Sequence, residues 1–142
     1  MKEILAKNVI SGKYGQVWLD GELLMELMAA KAEIGYKTEK IGMIGRIADG
    51  TKIVGVEPKG ELKVRHVNSF VAKKELAMIK EGKTPTHTIR FKLDDPDAFG
   101  AEEMVCYNSV FDKQILADFE DGKTTERTYG FDFDDWDLVE TI

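Results

Sequence analysis

ELLMELMAAKAEIGYKTEKIGMIGR, residues Glu22 to Arg46, is the stretch whose reading decides the fold, because its composition and its pattern point in opposite directions. Leu, Met, Ala, Glu and Lys fill Glu22 to Ala32, and these are among the strongest helix formers. The run nevertheless enters through Asp20-Gly21, a short hairpin signal. From Met28 onward it alternates, with Met28, Ala30, Ala32, Ile34 and Tyr36 on one parity and Lys31, Glu33, Lys37 and Glu39 on the other. A period of two belongs to a strand. A helix would also gather Leu23, Leu27, Ala30 and Ile34 on one face, so the neighbouring sequence has to arbitrate.

Working outward, alternating segments dominate. Tyr14 to Asp20 places Val17 and Leu19 on one face and reads as a strand, with the opening stretch Met1 to Gly12 as its expected hairpin partner. A second hairpin is expected at Asp49-Gly50, and Pro58-Lys59-Gly60 is expected to turn between strands at Ile53 to Val56 and Glu61 to Val67. Asn68-Ser69 offers an N-cap for one helix, Phe70 to Glu81, with Ala72, Leu76 and Ile79 on its apolar face and Gly82 closing it. Thr86 to Leu93, Glu103 to Val110, Lys113 to Phe119 and Thr125 to Asp134 are read as further strands, with Asp94 to Asp97 a loop and Asp121-Gly122 a tight turn. The expected class is therefore mainly β: two packed antiparallel sheets, sandwich- or barrel-like, with one flanking helix at about 70–81. In this company the strand reading of Glu22 to Arg46 is preferred.

The chain of 142 residues suits a single domain, 1–142, with an N-terminal arm at about 1–13 and a hairpin at about 22–57. Its formal charge of -6 argues against a dedicated nucleic-acid binder, whose affinity rests on basic contacts to phosphate. The charge is unevenly spread. Residues 31–83 hold 12 Lys/Arg against 7 Asp/Glu, and residues 118–140 hold 2 against 9, a polarity that suits head-to-tail attraction between copies. The single Cys106 excludes an internal disulfide framework. Without a signal-like opening or an apolar run of about 20 residues, synthesis in the cytoplasm and no stable membrane association are expected.

Motifs for chemistry are thin. His66 and His87 belong to no recognisable triad or metal motif, and a structural or surface role is expected for each. The carboxylates from Asp132 to Asp137 lack the glycine turn and terminal Glu of a calcium loop, and alternation sends them to opposite faces. Gly42 and Gly45 match no phosphate-binding spacing. No catalytic residue, metal or cofactor is expected, and the function is expected to reside in shape.

Asn8-Val9-Ile10-Ser11-Gly12-Lys13-Tyr14-Gly15, followed by Leu19-Asp20-Gly21-Glu22, resembles the start of the tail tube proteins of contractile phages and phage-derived particles, the XkdM-like family of PBSX-type defective prophages. Ile44-Gly45-Arg46 and the ending Phe131-Asp132-Phe133-Asp134-Asp135-Trp136-Asp137 are similar to that family in order and spacing, so the resemblance runs from about Asn8 to Asp137. It implies a structural subunit, not an enzyme, that forms homohexameric rings stacking into a hollow tube. The implied partners are other copies, a tail sheath, and baseplate and terminator proteins, with DNA only as passing cargo in a complete phage. By the same resemblance the tube is driven through a target envelope on sheath contraction, in a phage or an R-type bacteriocin, and the hairpin borders the lumen. Gly45, Arg46, Asp49, Gly50 and Thr51 are then expected to reach an adjacent ring. Ile10, Ser11 and Gly12 of the arm, and Asp134, Asp135 and Asp137 of the acidic end, are further candidates for subunit contacts. The rival readings are a type VI secretion tube subunit, a Ca²⁺- or carbohydrate-binding β-sandwich and a small hydrolase around His66 or His87.

Overall fold

The computed structural model describes residues 4–66 and 70–141. Glu22 to Arg46 is extended. Asp20 and Gly21 both take positive φ (50° and 86°), the signature of a two-residue turn whose twist matches its strands, and join β1 (Gly15–Leu19) to a two-residue β2 (Glu22–Leu23). After a turn at Met25 and Glu26, β3 (Leu27–Ile41) runs 15 residues and pairs antiparallel with β4 (Gly50–Arg65). That ladder outweighs the helical propensity of the leucines and alanines, since tertiary pairing overrides a weak local preference.

Two expected turns are absent from their places. Gly50 begins β4 instead of turning the chain; residues 42–49 form the reversal, with positive φ at Gly45 (81°). Pro58-Lys59-Gly60 lies inside β4, which is continuous across it. Pro58 is accommodated where the flanking strand β7 (Glu126–Asp132) runs out, one residue beyond the Lys59↔Asp132 pair. Gly60 is needed for packing: a Cβ there would sit 2.1 Å from the Phe131 ring, which lies against the β4 backbone.

The opening stretch is not a strand. Residues 4–14 form two 3₁₀ turns (Ala6–Asn8 and Gly12–Tyr14), and β1 takes β2 and β5 (His87–Leu93) as partners instead. Lys113 to Phe119 is likewise irregular, and the last strand divides: β7 ends at Asp132, and β8 (Asp135–Glu140) turns away to pair with β6 (Glu102–Phe111). Helix α1 spans Phe70–Lys80. Gly82 (φ 78°) ends it, its N–H bonding to Ile79 O at 3.0 Å and the Lys83 N–H to Met78 O at 3.0 Å, the paired closure typical of a C-terminal glycine. The expected cap at Asn68-Ser69 lies outside the described residues. The helix is turned slightly from expectation: Glu75 is buried, while Ile79 is half exposed.

All strands among the described residues belong to one antiparallel sheet in the order β2-β1-β5-β6-β7-β4-β3, with β8 attached to β6. The two expected layers are its two halves, joined where β6 changes partner. β6 pairs with β8 through Glu103 to Tyr107 and with β7 through Val110 and Phe111. Between them Asn108 takes φ 54° at a bulge opposite β5, and its Nδ2 donates to Asp134 Oδ1 at 2.8 Å. The core fills the space between the halves, with Val17, Ile89, Phe91 and Cys106 from one and Leu62 and Phe131 from the other. Phe131 carries the aromatic packing, with Phe91, Phe111 and Phe133 at ring-centroid distances of 6.5, 6.0 and 6.0 Å. Among the described residues the sheet does not close on itself.

Because Phe131 occupies the space above Gly60, Gly60→Ala is expected to cost about 1–3 kcal/mol of stability in urea unfolding. Gly42→Ala, whose nearest neighbour is 3.8 Å away, should leave the midpoint nearly unchanged.

Candidate assembly surface

The hairpin β3–β4 has two unlike faces. Residues paired across an antiparallel ladder share a face, and Ala30↔Leu62, Ala32↔Gly60 and Ile34↔Pro58 place the even-numbered side toward the core. Farther out this side leaves the core behind, and Tyr36, Val56 and Ile53 are exposed on it. A bulge in β4 inserts Val54 between the Lys37↔Gly55 and Thr38↔Ile53 pairs, so the outer part keeps its facing with the parity of β4 reversed. Lys40 Nζ donates to Thr51 Oγ1 at 2.7 Å on the same side.

The outward face is charged. Lys31 stands opposite Glu61, Glu33 opposite Lys59 and Glu39 opposite Lys52. Lys37 faces Gly55 and Glu57 faces Gly35, which leaves room for a diagonal pair, Lys37 Nζ to Glu57 Oε1 at 3.5 Å. Lys31 also lies 3.5 Å from Glu33 along its own strand, and Lys63 lies 3.5 Å from Glu126 on β7. These side chains are 38–66% exposed, where such pairs contribute little stability, so the pattern describes a surface more than it holds the fold.

Two further features mark the hairpin. Among the described residues β3 is the terminal strand of the sheet, with β4 as its one ladder partner, so its other edge presents backbone N–H and C=O groups without strand partners over most of 15 residues. At the tip, Ile44 and Ile47 are fully exposed and Met43 is half exposed. Gly45, Arg46, Asp49, Gly50 and Thr51 are gathered here, Arg46 N–H bonding to Met43 O at 3.2 Å.

The other sequence candidates lie elsewhere. Ser11 N–H donates to the buried Asp95 at 2.9 Å, and Asn8 Nδ2 donates to Asp97 O at 3.0 Å, so the arm around Ile10, Ser11 and Gly12 is tied to the loop after β5 of its own chain. Ile4 and Val9 remain exposed on it. Asp134 precedes β8, and Asp135 and Asp137 lie on it opposite Tyr107 and Val105, with Leu138 and Val139 exposed beside them. The structure thus joins the hairpin-tip residues to one another, and keeps the arm and the acidic strand on the other half of the sheet.

Family, relatives and fold point the same way. A family model described as "Phage tail tube protein" matches residues 2–140. The chain belongs to the phage tail tube protein family. The tube protein is 30% identical over 108 residues to the phage-like element PBSX protein XkdM of Bacillus subtilis (strain 168), covering 75% of this chain and 74% of that one. Its fold is similar to a chain of the anti-feeding prophage tube-terminating cap (TM-score 0.72, 12% identity, 99% and 97% coverage). It is also similar to one in the sheath-tube complex of an extracellular contractile injection system, PVC, in the extended state (TM-score 0.71, 10% identity, 94% and 95% coverage).

Sequence reading missed a polar cluster that fastens the helix of the tube protein to its sheet. His87 Nδ1 lies 2.6 Å from Asp20 Oδ2 in the β1–β2 turn, and its Nε2 lies 3.3 Å from Oε1 of the buried Glu75 on α1. Gln114 Nε2 donates to the other Glu75 oxygen, and the Thr88 N–H donates to Asp20 Oδ1 at 2.9 Å. The His87 ring is also packed 5.2 Å from the Phe111 ring. The only sequence signal for the cluster was a glutamate at a helical position shared with Ala72 and Leu76. Among the described residues no group of three or more His, Cys, Asp or Glu is placed to hold a metal ion, and no helix is long and apolar enough to cross a membrane.

Removing the imidazole takes away the 2.6 Å contact to Asp20 and the 3.3 Å contact to the buried Glu75 carboxylate, so His87→Ala is expected to lower stability by about 1–3 kcal/mol in urea unfolding. His66→Ala, at a half-buried position beyond the end of β4, should cost less than half of that.

Proposed function

We propose that this tube protein is the subunit of the inner tube of a contractile phage tail or phage-tail-like particle, and that its copies form hexameric rings which stack into a hollow cylinder. The observation that carries this reading is the open 15-residue edge of β3, because a long strand edge in a protein that is not meant to aggregate is normally shortened, charged inward or covered. Pairing that edge with a strand of the next copy continues the sheet from subunit to subunit. A head-to-tail contact of this kind closes into a ring when the rotation permits.

The two faces of the hairpin then sort themselves by solvent. The exposed apolar side with Tyr36, Val56 and Ile53 turns toward protein, and the hydrated charged side lines the channel. Gly45, Arg46, Asp49, Gly50 and Thr51 sit in or beside a projecting loop whose Ile44 and Ile47 find cover in the adjoining ring. The arm at Ile10 to Gly12, with exposed Ile4 and Val9, and the acidic strand with Asp135 and Asp137 supply further contacts between subunits. A sheath, a baseplate and a terminator are the partners this role requires, and DNA is passing cargo where the particle is a complete phage. The tube is assembled in the cell that makes it and carries out no bond chemistry; sheath contraction drives it through the target envelope.

Negative-stain electron microscopy of the concentrated protein should reveal rings or tubes with a central channel, and a persistent monomer in the presence of its sheath and baseplate partners would sink the reading. In Ile44→Ser/Ile47→Ser tubes should shorten or give way to separate rings, because the substitution strips apolar area from the stacking contact and leaves the β3 edge intact. Neutralising Asp134, Asp135 and Asp137 to Asn is expected to weaken ring formation or stacking at low salt, read by sedimentation velocity; unchanged assembly would remove the acidic end from the interface.

A further inference from the structure

The outward face of the β3–β4 hairpin, taken with the β7 residues beside it, is electrically compensated, although the chain is not. The chain carries a formal charge of -6, with the acidic excess concentrated in residues 118–140. The face carries Lys31, Lys37, Lys52, Lys59, Lys63 and Arg65 against Glu33, Glu39, Glu57 and Glu61 of the hairpin and Glu126 and Asp132 of the adjoining β7, so its charges cancel. Their arrangement matters more than their sum. Sign alternates along each strand of the hairpin as far as Lys63 and inverts across the ladder, and where the glycines at 35 and 55 interrupt the direct pairing the diagonal Lys37–Glu57 contact at 3.5 Å restores it.

A surface on which each charge neighbours its opposite has a potential that dies away over roughly the spacing of like charges, about 7–14 Å for side chains repeating every second residue of a strand. A one-signed surface behaves differently: repeated around a ring, its charges add, and it concentrates counterions and excludes co-ions. Lysines already paired with glutamates also give a polyanion few free cations with which to replace its own counterions.

We propose that this face makes the channel wall a charge-compensated surface that neither enriches nor repels charged cargo, so that cargoes of either sign pass and selection is left to other components. The proposal rests on the reading that the hairpin lines the channel.

A thiol probe separates the two. Gly35 lies in the middle of the face and has room for a side chain, the nearest atom to an added Cβ being Glu57 O at 3.6 Å. The native Cys106 is buried and its thiol is pushed up to about 11, so it stays silent. Tubes assembled from Gly35→Cys would be treated at low ionic strength with a cationic and an anionic methanethiosulfonate reagent of similar size. The ratio of the two rates, divided by the same ratio for 2-mercaptoethanol, is expected to lie within about threefold of one. The same measurement in Gly35→Cys with Lys52→Glu and Lys59→Glu should rise about tenfold or more in favour of the cation. A preference of about tenfold for either reagent on the unaltered wall overturns the compensation.

Placement is read independently by biotinylating the thiol at position 35 in intact tubes and adding gold-labelled streptavidin. Gold confined to tube ends, or absent, supports a channel-facing wall; gold along the flanks overturns that placement and the proposal with it. Should Gly35→Cys fail to assemble, Thr128→Cys on β7, which lies on the same face opposite Lys63, takes its place in both measurements.

Discussion

The unpaired edge of β3 is the constraint to which the rest of the molecule answers. A strand of 15 residues turns the N–H and C=O groups of successive residues alternately to its two sides, and among the described residues a ladder partner stands on one side alone, β4. The strand is held extended by that ladder and anchored at its base by Leu62, Ala32 and Ile34 in the core. Everything beyond the base reaches past the protein's own interior. The long hairpin, its exposed apolar flank and its projecting tip are therefore parts of one arrangement, which leaves an open strand edge and apolar side chains outside the core.

The body that carries the hairpin is built to be stiff where the two halves of the sheet meet. β6 changes partner within ten residues, and the turn of Asn108 into the left-handed region, held by Asp134, is what lets it do so. Phe131 fills the space beneath, its ring seated on the bare backbone of Gly60. On the far side the helix is fastened by the Asp20–His87–Glu75 contacts, which reach from the β1–β2 turn to a buried carboxylate. Helix, turn and core thus fix the direction in which β3 and β4 leave the body.

How much of this could be read in the residues follows their reach. Asp20-Gly21, Gly82 and the alternation in β1, β3, β5 and β7 carry their structural meaning locally, and each was legible. Pro58-Lys59-Gly60 misled because the meaning of its glycine lies in a ring over seventy positions away, and because the proline falls just where a neighbouring strand stops. Lys113 to Phe119 has strand-like residues but no ladder to join, and the opening stretch is captured by Asp95 and Asp97 before it can pair. The residues gathered at the hairpin tip were legible through family resemblance, whereas the cluster around Glu75 was not, since a buried glutamate on a helix looks in sequence like any surface one.

Val54, the extra residue in β4, bears on how the hairpin keeps its register. A slip of one position in a strand exchanges its two faces completely. Near the body such a slip is forbidden by the core, but beyond Tyr36 no core remains to forbid it. The inserted residue divides the hairpin into an inner segment whose alignment is inherited from the body and an outer one aligned by Lys40 with Thr51 and Glu39 with Lys52. In genetic terms it behaves like a compensated frameshift: the outer segment is read one step out of phase with the inner, and the sense of its side chains is preserved. A change of length by one residue at this point would rewrite the chemistry of the outer hairpin without altering a single other side chain.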